Sequence, residues 1–346
     1  MAEAGESLAI LYVGVPDGTC LQRAQALRGL GHRVRHVVAG PPRTPLKRQL
    51  YRLTRQLDRP ADLHGANRRI LAWLVREAFD ILWIDKGLTV RPSILRAARD
   101  RRPELRIVGY SPDDTKNPGN SSRTFRQGLP LYDLYVTTKS YNVPELRELG
   151  AREPFFVDNS YDPDTHRPLE LSARELERYA ARVGFVGSFE EDRAEQMRRL
   201  ATDGIEVSIW GAGWEEFSLP HPNLRVRRRE LPGLDYSRAI NATEINLAFL
   251  RKVNRDLQTT RSIEIPACGA FMLAERTHEH LALFDEGVEA EFFSSYDELL
   301  EKCRHYLDNP EKRRRIAQAG LARCRRDRYD NEGRLAAVIA RLGELT

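Results

Sequence analysis

The feature that most limits the fold is an alternation that begins twice. Residues 8–13 (LAILYV) are an apolar run of strand length, a turn covers 14–19, and Leu21, Ala24, Leu27 and Leu30 then fall at helical spacing before Gly31. Strand-length runs at 34–38, 80–84, 106–110, 134–138 and 154–157 alternate with helical stretches at 67–78, 92–99 and 143–149. Such an order builds an open parallel sheet covered by helices. At 183–186 (VGFV), after a polar helix over 173–182, the pattern starts afresh. It continues through runs at 205–210, 224–226, 245–250, 271–274 and 290–293, the last as an edge strand. A chain of 346 residues also exceeds what one core usually supports. The expected class is α/β, with two Rossmann-like parallel-sheet domains. Pro163 and Pro168 stiffen the passage between them, which places the boundary near 167–172. The expected domains are therefore 1–168 and 169–329, with a terminal helix over 330–346.

Composition excludes several classes. A net charge of +5, from 55 basic and 50 acidic residues, argues against a dedicated nucleic-acid binder. Cys20, Cys268, Cys303 and Cys324 are far apart, which suits free thiols in a reducing compartment rather than a disulfide frame or a zinc site. The start of the chain lacks a basic segment before its apolar run, and no apolar run approaches the roughly 20 residues of a membrane span. A cytoplasmic protein is expected. One segment qualifies this. Within 41–59, Leu46, Leu50, Leu53 and Leu57 share helical spacing among Lys47, Arg48, Arg52, Arg55 and Arg59. Such a helix either packs its leucines on the core, the commoner outcome and the expectation here, or touches an acidic acceptor or the inner face of an anionic membrane.

Ligands of open parallel sheets gather at the carboxyl ends of the strands. Lys86, Asp113 and Asp114 stand at such ends, and Asp113 and Asp114 suit a turn cap as well as a ligand. Two aspartates without a third ligand are a weak metal signal, and no metal site is expected. The turn holding Gly18 and Thr19 lacks a G-x-G-x-x-G pattern, so no dinucleotide is expected there. In the second half, Gly187 and Ser188 lead to Arg193 in a loop that opens a helix. Gly211 begins a small-residue turn, and Trp214 either stacks a base or fills a core. The richest stretch is 255–275, RDLQTTRSIEIPACGAFMLAE. A polar loop that opens a helix offers free N–H groups and a positive dipole end to a phosphate. Asp256 and Glu264, with Arg261 and Ser262 between them, can accept from sugar hydroxyls. Lys252 and Arg255 add positive charge nearby. His278 and His280 are expected to be surface or hydroxyl-binding groups, since their spacing does not suit zinc.

The 255–275 stretch, with two acids eight residues apart about a helix start, resembles the donor-sugar loop of family 4-type glycosyltransferases, most closely the CgeB-like branch. The SPDD loop, Ser–Arg helix, YD strand and TTKS turn within 110–151 resemble the same branch. So does NSYDPDTHRP at 159–168, where Ser160 stands for the usual Gly. The resemblance spans nearly the whole chain. It implies a GT-B arrangement of two domains facing across a cleft, with the last helix crossing back to the first domain. It implies a retaining glycosyltransferase that needs no bound metal and no cofactor beyond its co-substrate, a nucleotide diphosphate-sugar. The donor domain would be the second, with Gly187, Ser188, Gly211, Trp214, Gln258, Thr259, Thr260, Arg261, Ser262 and Glu264 around the donor. Asp256 would hold the sugar, where the wider family usually has Glu, and Glu264 the ribose. Arg193 sits at a family Lys position and Ser188 replaces a family Arg. Arg193 and Arg261 would stabilise the departing diphosphate. Asp114 would be an acid/base or hydroxyl-orienting group, and Gly18, Thr19, Lys86 and Asp113 would face an acceptor that is protein, glycan or lipid. The rival expectation is a non-catalytic protein of the same fold that binds nucleotide-sugar or glycan in coat or surface assembly.

Overall fold

The structure is a computed structural model and describes residues 7–214, 221–227 and 230–345. The first six residues, on which the expectation of no leader partly rests, lie outside the described residues. The chain divides into two compact units, Met1–Asp158 with Asn331–Thr346, and Asn159–Asp330.

The first unit runs β1 (Ala9–Gly14), α1 (Gly18–Gly29), β2 (Arg33–Val38), α2 (Pro45–Gln56), α3 (Ala66–Arg76), β3 (Ile81–Asp85), α4 (Pro92–Arg101), β4 (Arg106–Ser111), α5 (Arg123–Gly128), β5 (Leu134–Thr137), α6 (Asn142–Glu148) and β6 (Pro154–Phe156). The second runs α7 (Ala173–Tyr179), β7 (Ala181–Val186), α8 (Glu191–Thr202), β8 (Val207–Trp210), β9 (Leu224–Val226), α9 (Leu234–Ala242), β10 (Thr243–Ala248), α10 (Arg261–Ala267), β11 (Met272–Glu275), α11 (His278–Leu283), β12 (Glu291–Phe293), α12 (Tyr296–Asp308) and α13 (Pro310–Arg326). A last helix, α14 (Asn331–Glu344), belongs to the first unit.

Each unit holds one six-stranded sheet, ordered β2-β1-β3-β4-β5-β6 and β12-β11-β10-β7-β8-β9. Every strand pairing in both sheets is parallel. The apolar runs explain this. A parallel sheet is covered on both faces, so its strands are continuously buried, as β3 and β5 are. Alternate residues feed opposite faces. In the first unit Leu11, Val13, Leu82 and Ile84 pack with α3, α4 and α5, while Ile10, Tyr12, Trp83 and Val108 pack with α1 and α14. In the second, Val183, Phe185, Ile245 and Leu273 pack with α8 and α12, while Val186, Ala248, Met272 and Ala274 pack with α9 and α10. Both sheets reverse direction about their first strand, so each has a switch point, at β1/β3 and at β7/β10. Ligands of such sheets settle there.

Two expectations are corrected. The units change over at Asp158, earlier than the 168 read from the prolines. The reason is that 159–168 is folded into the second unit. Gln258 Oε1 accepts the Asn159 N–H at 3.0 Å, Tyr161 bridges to Asp330, and Ser237 Oγ donates to the Thr165 carbonyl at 2.6 Å. The second correction concerns α2, whose leucines do not pack on the core. Leu46, Leu50, Leu53 and Leu57 are 79, 47, 52 and 75% exposed, and Tyr51 alone anchors the helix inward. Periodicity shows that a face is apolar but not that anything lies against it. Among the described residues no helix is long and apolar enough to cross a membrane.

Candidate functional site

The second sheet's switch point is spanned by one cation. Arg193, in the first turn of α8, donates through Nη1 to the Ser188 carbonyl at 3.3 Å and through Nη2 to the Phe249 carbonyl at 3.4 Å. Those carbonyls follow β7 and β10, the two strands between which the order reverses. Arg261, at the start of α10, donates through Nε to the Val186 carbonyl. The two guanidinium groups are thus fixed to residues on either side of Gly187. Arg193 is buried, and Glu190 stands off at 3.8 Å while its other oxygen pairs with Arg251 at 2.8 Å. Burial pulls its pKa below the ordinary arginine range, Glu190 opposes this, and the charges of Arg261 and Arg251 lower it further. Two cations held toward one loop make a place for an anion. A cavity of about 430 Å³ opens beside Arg193, and its wall holds Lys252 but also Glu190, Glu191, Asp192, Glu195 and Glu275.

The loop itself is held from beneath. Gly187 donates its N–H to the Trp210 carbonyl at 2.8 Å, and its own carbonyl accepts from Trp214 Nε1 at 2.9 Å. Trp214 is fully buried against Phe185 and Phe189, which is the core-filling place of the two the sequence left open. Gly211 has φ +147°, and a Cβ there would stand 1.9 Å from the Gly187 carbonyl oxygen, so only glycine fits. Ser188 is exposed at the loop's tip.

The 255–275 stretch folds as a tight loop into α10. Arg255 holds a left-handed φ of +50°, strained for a residue with a side chain, and the Asp256 N–H donates back to the Arg251 carbonyl at 3.2 Å. Asp256 and Glu264 are both nearly buried, at 8% exposure. Thr259 and Thr260 are half-buried just before α10, while Gln258 is fully buried and spends its carbonyl on Asn159. Glu264 Oε1 lies 3.7 Å from His166 Nε2, and Tyr236 stands beside it, its phenol pKa raised by burial and then by the Glu264 charge. Ser262 Oγ lies 2.7 Å from His280 Nε2, and His280 Nδ1 lies 2.6 Å from the Glu275 carbonyl. Of the two places expected for it, surface or hydroxyl-binding, His280 does not take the first, and the hydroxyl beside it is that of Ser262. His280 is fully buried, stacked on Phe292, and burial pulls its pKa down to about 4.

The first sheet's switch point has a different character. Asp85 ends β3 and is buried with Arg23 of α1, whose Nη2 lies 2.7 Å from Asp85 Oδ2, and Tyr12 Oη donates to the same oxygen at 2.7 Å. The Arg23 guanidinium also lies 4.4 Å over the Tyr110 ring. The next residue, Lys86, has φ +62° and is exposed, and it pairs with the half-buried Asp113 at 2.5 Å. Asp114 is turned inward instead: it is 2% exposed and Oδ1 accepts from Lys116 N–H and Asn142 Nδ2, each at 3.0 Å. Gly18 and Thr19 are exposed in the first turn of α1. Sequence reasoning missed Arg23, Asp85, His166 and Tyr236. The one available signal was Arg23 lying on the Cys20–Leu27 stripe, where a cation needs a buried partner.

Comparison with known proteins agrees with this architecture. The fold is that of GT-B glycosyltransferases, with two six-stranded parallel sheets and flanking helices. Residues 191–340 match the family model described as glycosyl transferase-like. Sucrose-phosphate synthase from Thermosynechococcus elongatus is similar, with TM-score 0.67 and 10% identity over 98% of this chain and 100% of that one. HepE from Anabaena, in complex with UDP and glucose, has TM-score 0.63 and 14% identity over 96% and 99%. A glycosyltransferase from Rickettsia africae has TM-score 0.65 and 11% identity over 98% and 99%. No curated protein sequence matches the chain.

Proposed function

We propose that this protein is a glycosyltransferase of the CgeB-like branch, moving a sugar from a nucleotide diphosphate-sugar to an acceptor with retention at the anomeric carbon. The observation that carries the reading is the Arg193–Arg261 pair fixed about Gly187 at the β7/β10 switch point. As the bond from the anomeric carbon to the diphosphate breaks, the electron pair leaves with the diphosphate, and fixed guanidinium groups stabilise that charge best where water is excluded. Arg261 offsets the cation lost at Ser188, and the pair supplies the positive charge a metal would otherwise bring. Asp256 would accept from sugar hydroxyls and Glu264 from the ribose, both acting as acceptors only. The acceptor would be taken by the first unit, near Lys86 and Asp113. UDP is the first nucleotide to try, because HepE, of the same fold, was solved with it.

The test is thermal shift and turnover with UDP-, GDP-, CMP- and TDP-sugars, with magnesium and with a chelator. One nucleotide should raise the melting midpoint in chelator, because a ligand that binds only the native state must do so. Glu264→Ala should weaken that nucleotide about ten-fold or more, the worth of a charge-assisted hydrogen bond. Arg193→Ala should cost roughly a hundred-fold in kcat. No shift with any nucleotide would sink the donor site. One observation favours the rival, a non-catalytic nucleotide-sugar binder: Asp114, the expected acid/base group, is buried and accepts from Lys116 in its own turn and from Asn142 of α6. That reading keeps the Glu264-dependent shift and predicts no turnover in the wild type.

A further inference from the structure

We infer that helix α2, with the arginine-lined cavity that follows it, docks the protein on an anionic lipid surface. Leu46, Leu50, Leu53 and Leu57 lie within about 60° of one another around the helix axis and extend over roughly 16 Å. All are exposed, while Tyr51, on the other side, is buried. No acidic residue lies within 45–57. Lys47, Arg48 and Arg52 have no carboxylate partner among the described residues, so the leucines are flanked by uncompensated cations. Past the helix, a cavity of about 530 Å³ is lined by Arg59, Arg91, Arg96 and Arg123. Its one acid, Asp62, is spent on the N–H groups of Ala66 and Asn67.

The occupant must take leucines and cations together. A second copy of this face would bring like charges into contact, which is unfavourable. An anionic bilayer suits both: an interfacial helix sinks its apolar stripe among the acyl chains while flanking Lys and Arg meet headgroup phosphates. The cavity's four guanidinium groups are placed to take such a phosphate. This inference is independent of the donor site, and a chain without transferase activity would still bind.

The experiment is cosedimentation of the full chain with phosphatidylcholine vesicles, with and without phosphatidylglycerol, at rising salt. Binding is expected only with phosphatidylglycerol, and it should weaken as salt rises. Lys47→Gln/Arg52→Gln should weaken binding about thirty-fold, and Leu50→Ser/Leu53→Ser about ten-fold or more. All four side chains are exposed, so the melting midpoint should not move, and that control separates lost docking from lost folding. No binding to anionic vesicles would overturn the inference. So would binding undiminished by the leucine variant, or self-association that this variant abolishes while vesicles bind neither protein.

Discussion

Arg23 lies on the buried stripe of α1, between Cys20 and Leu27, and its guanidinium is matched by Asp85 and Tyr110. Removing one member of a buried pair leaves the other desolvated and uncompensated. Arg23→Ala should therefore cost about 3–5 kcal/mol, read by chemical denaturation, and Arg23→Leu/Asp85→Asn should recover part of that loss. A cost under about 1 kcal/mol would mean that water reaches the site. His280 gives a pH dependence. Its folded pKa is about 4 against an ordinary 6.5, so the unfolded chain binds a proton over that interval that the folded chain refuses. Its contribution is thus fully present above 6.5 and lost as pH falls toward 4, by at most about 3 kcal/mol. His280→Asn should flatten the melting midpoint across that window, and an unchanged slope would assign the acid sensitivity to carboxylates. Arg23 could be suspected from its stripe, but the place of His280 was not legible from spacing. A two-residue His pattern argues against zinc, but which His turns inward depends on the Ser262 and Glu275 partners that only the fold supplies.

At the scale of elements the strands were readable, because continuous apolar runs separated by turns suit little else than covered parallel strands. The alternation also gave the second beginning at β7 and the loop that follows it. What could not be read was which face of a helix has a neighbour. The leucines of α2 and the buried residues of α1 have comparable spacing, and one set is exposed while the other is core. The same limit applies to Trp214, whose type suits a core more often than a base but does not by itself decide between them. The Gly211 turn offers an element-scale prediction. Gly211→Ala adds a methyl into the Gly187 carbonyl and asks a chiral residue to hold φ +147°. The β7–α8 loop must shift, so the cost should be about 2 kcal/mol or more, a fall of several degrees in the melting midpoint. Nucleotide binding should fall with it. A variant that melts as the wild type does and binds unchanged would show that the loop does not need its close approach to Gly211.

At the scale of the molecule, the sequence order differs from the order of packing. The second unit, Asn159–Asp330, is inserted before α14, which returns to the first. Leu335, Val338 and Leu342 are buried there beside Ile10, Tyr12 and Leu27. Deleting α14 should therefore destabilise the first unit by about 5 kcal/mol, from three aliphatic side chains at roughly 1.5–3 kcal/mol each, reduced for residual burial in the unfolded chain. Calorimetry should show one transition moving down while the other stays. A single unchanged transition would mean that the helix is not part of that core.

That return has a consequence for synthesis. Ribosomes add about 5–20 residues per second, so roughly 10–35 seconds separate the emergence of β6 from that of α14. During that interval the sheet face carrying Ile10, Trp83 and Val108 waits without one of its covering helices, while the inserted unit has everything it needs to close. A nascent chain of this protein should thus show a finished second half before a finished first half. Its waiting apolar face is where a chaperone would bind.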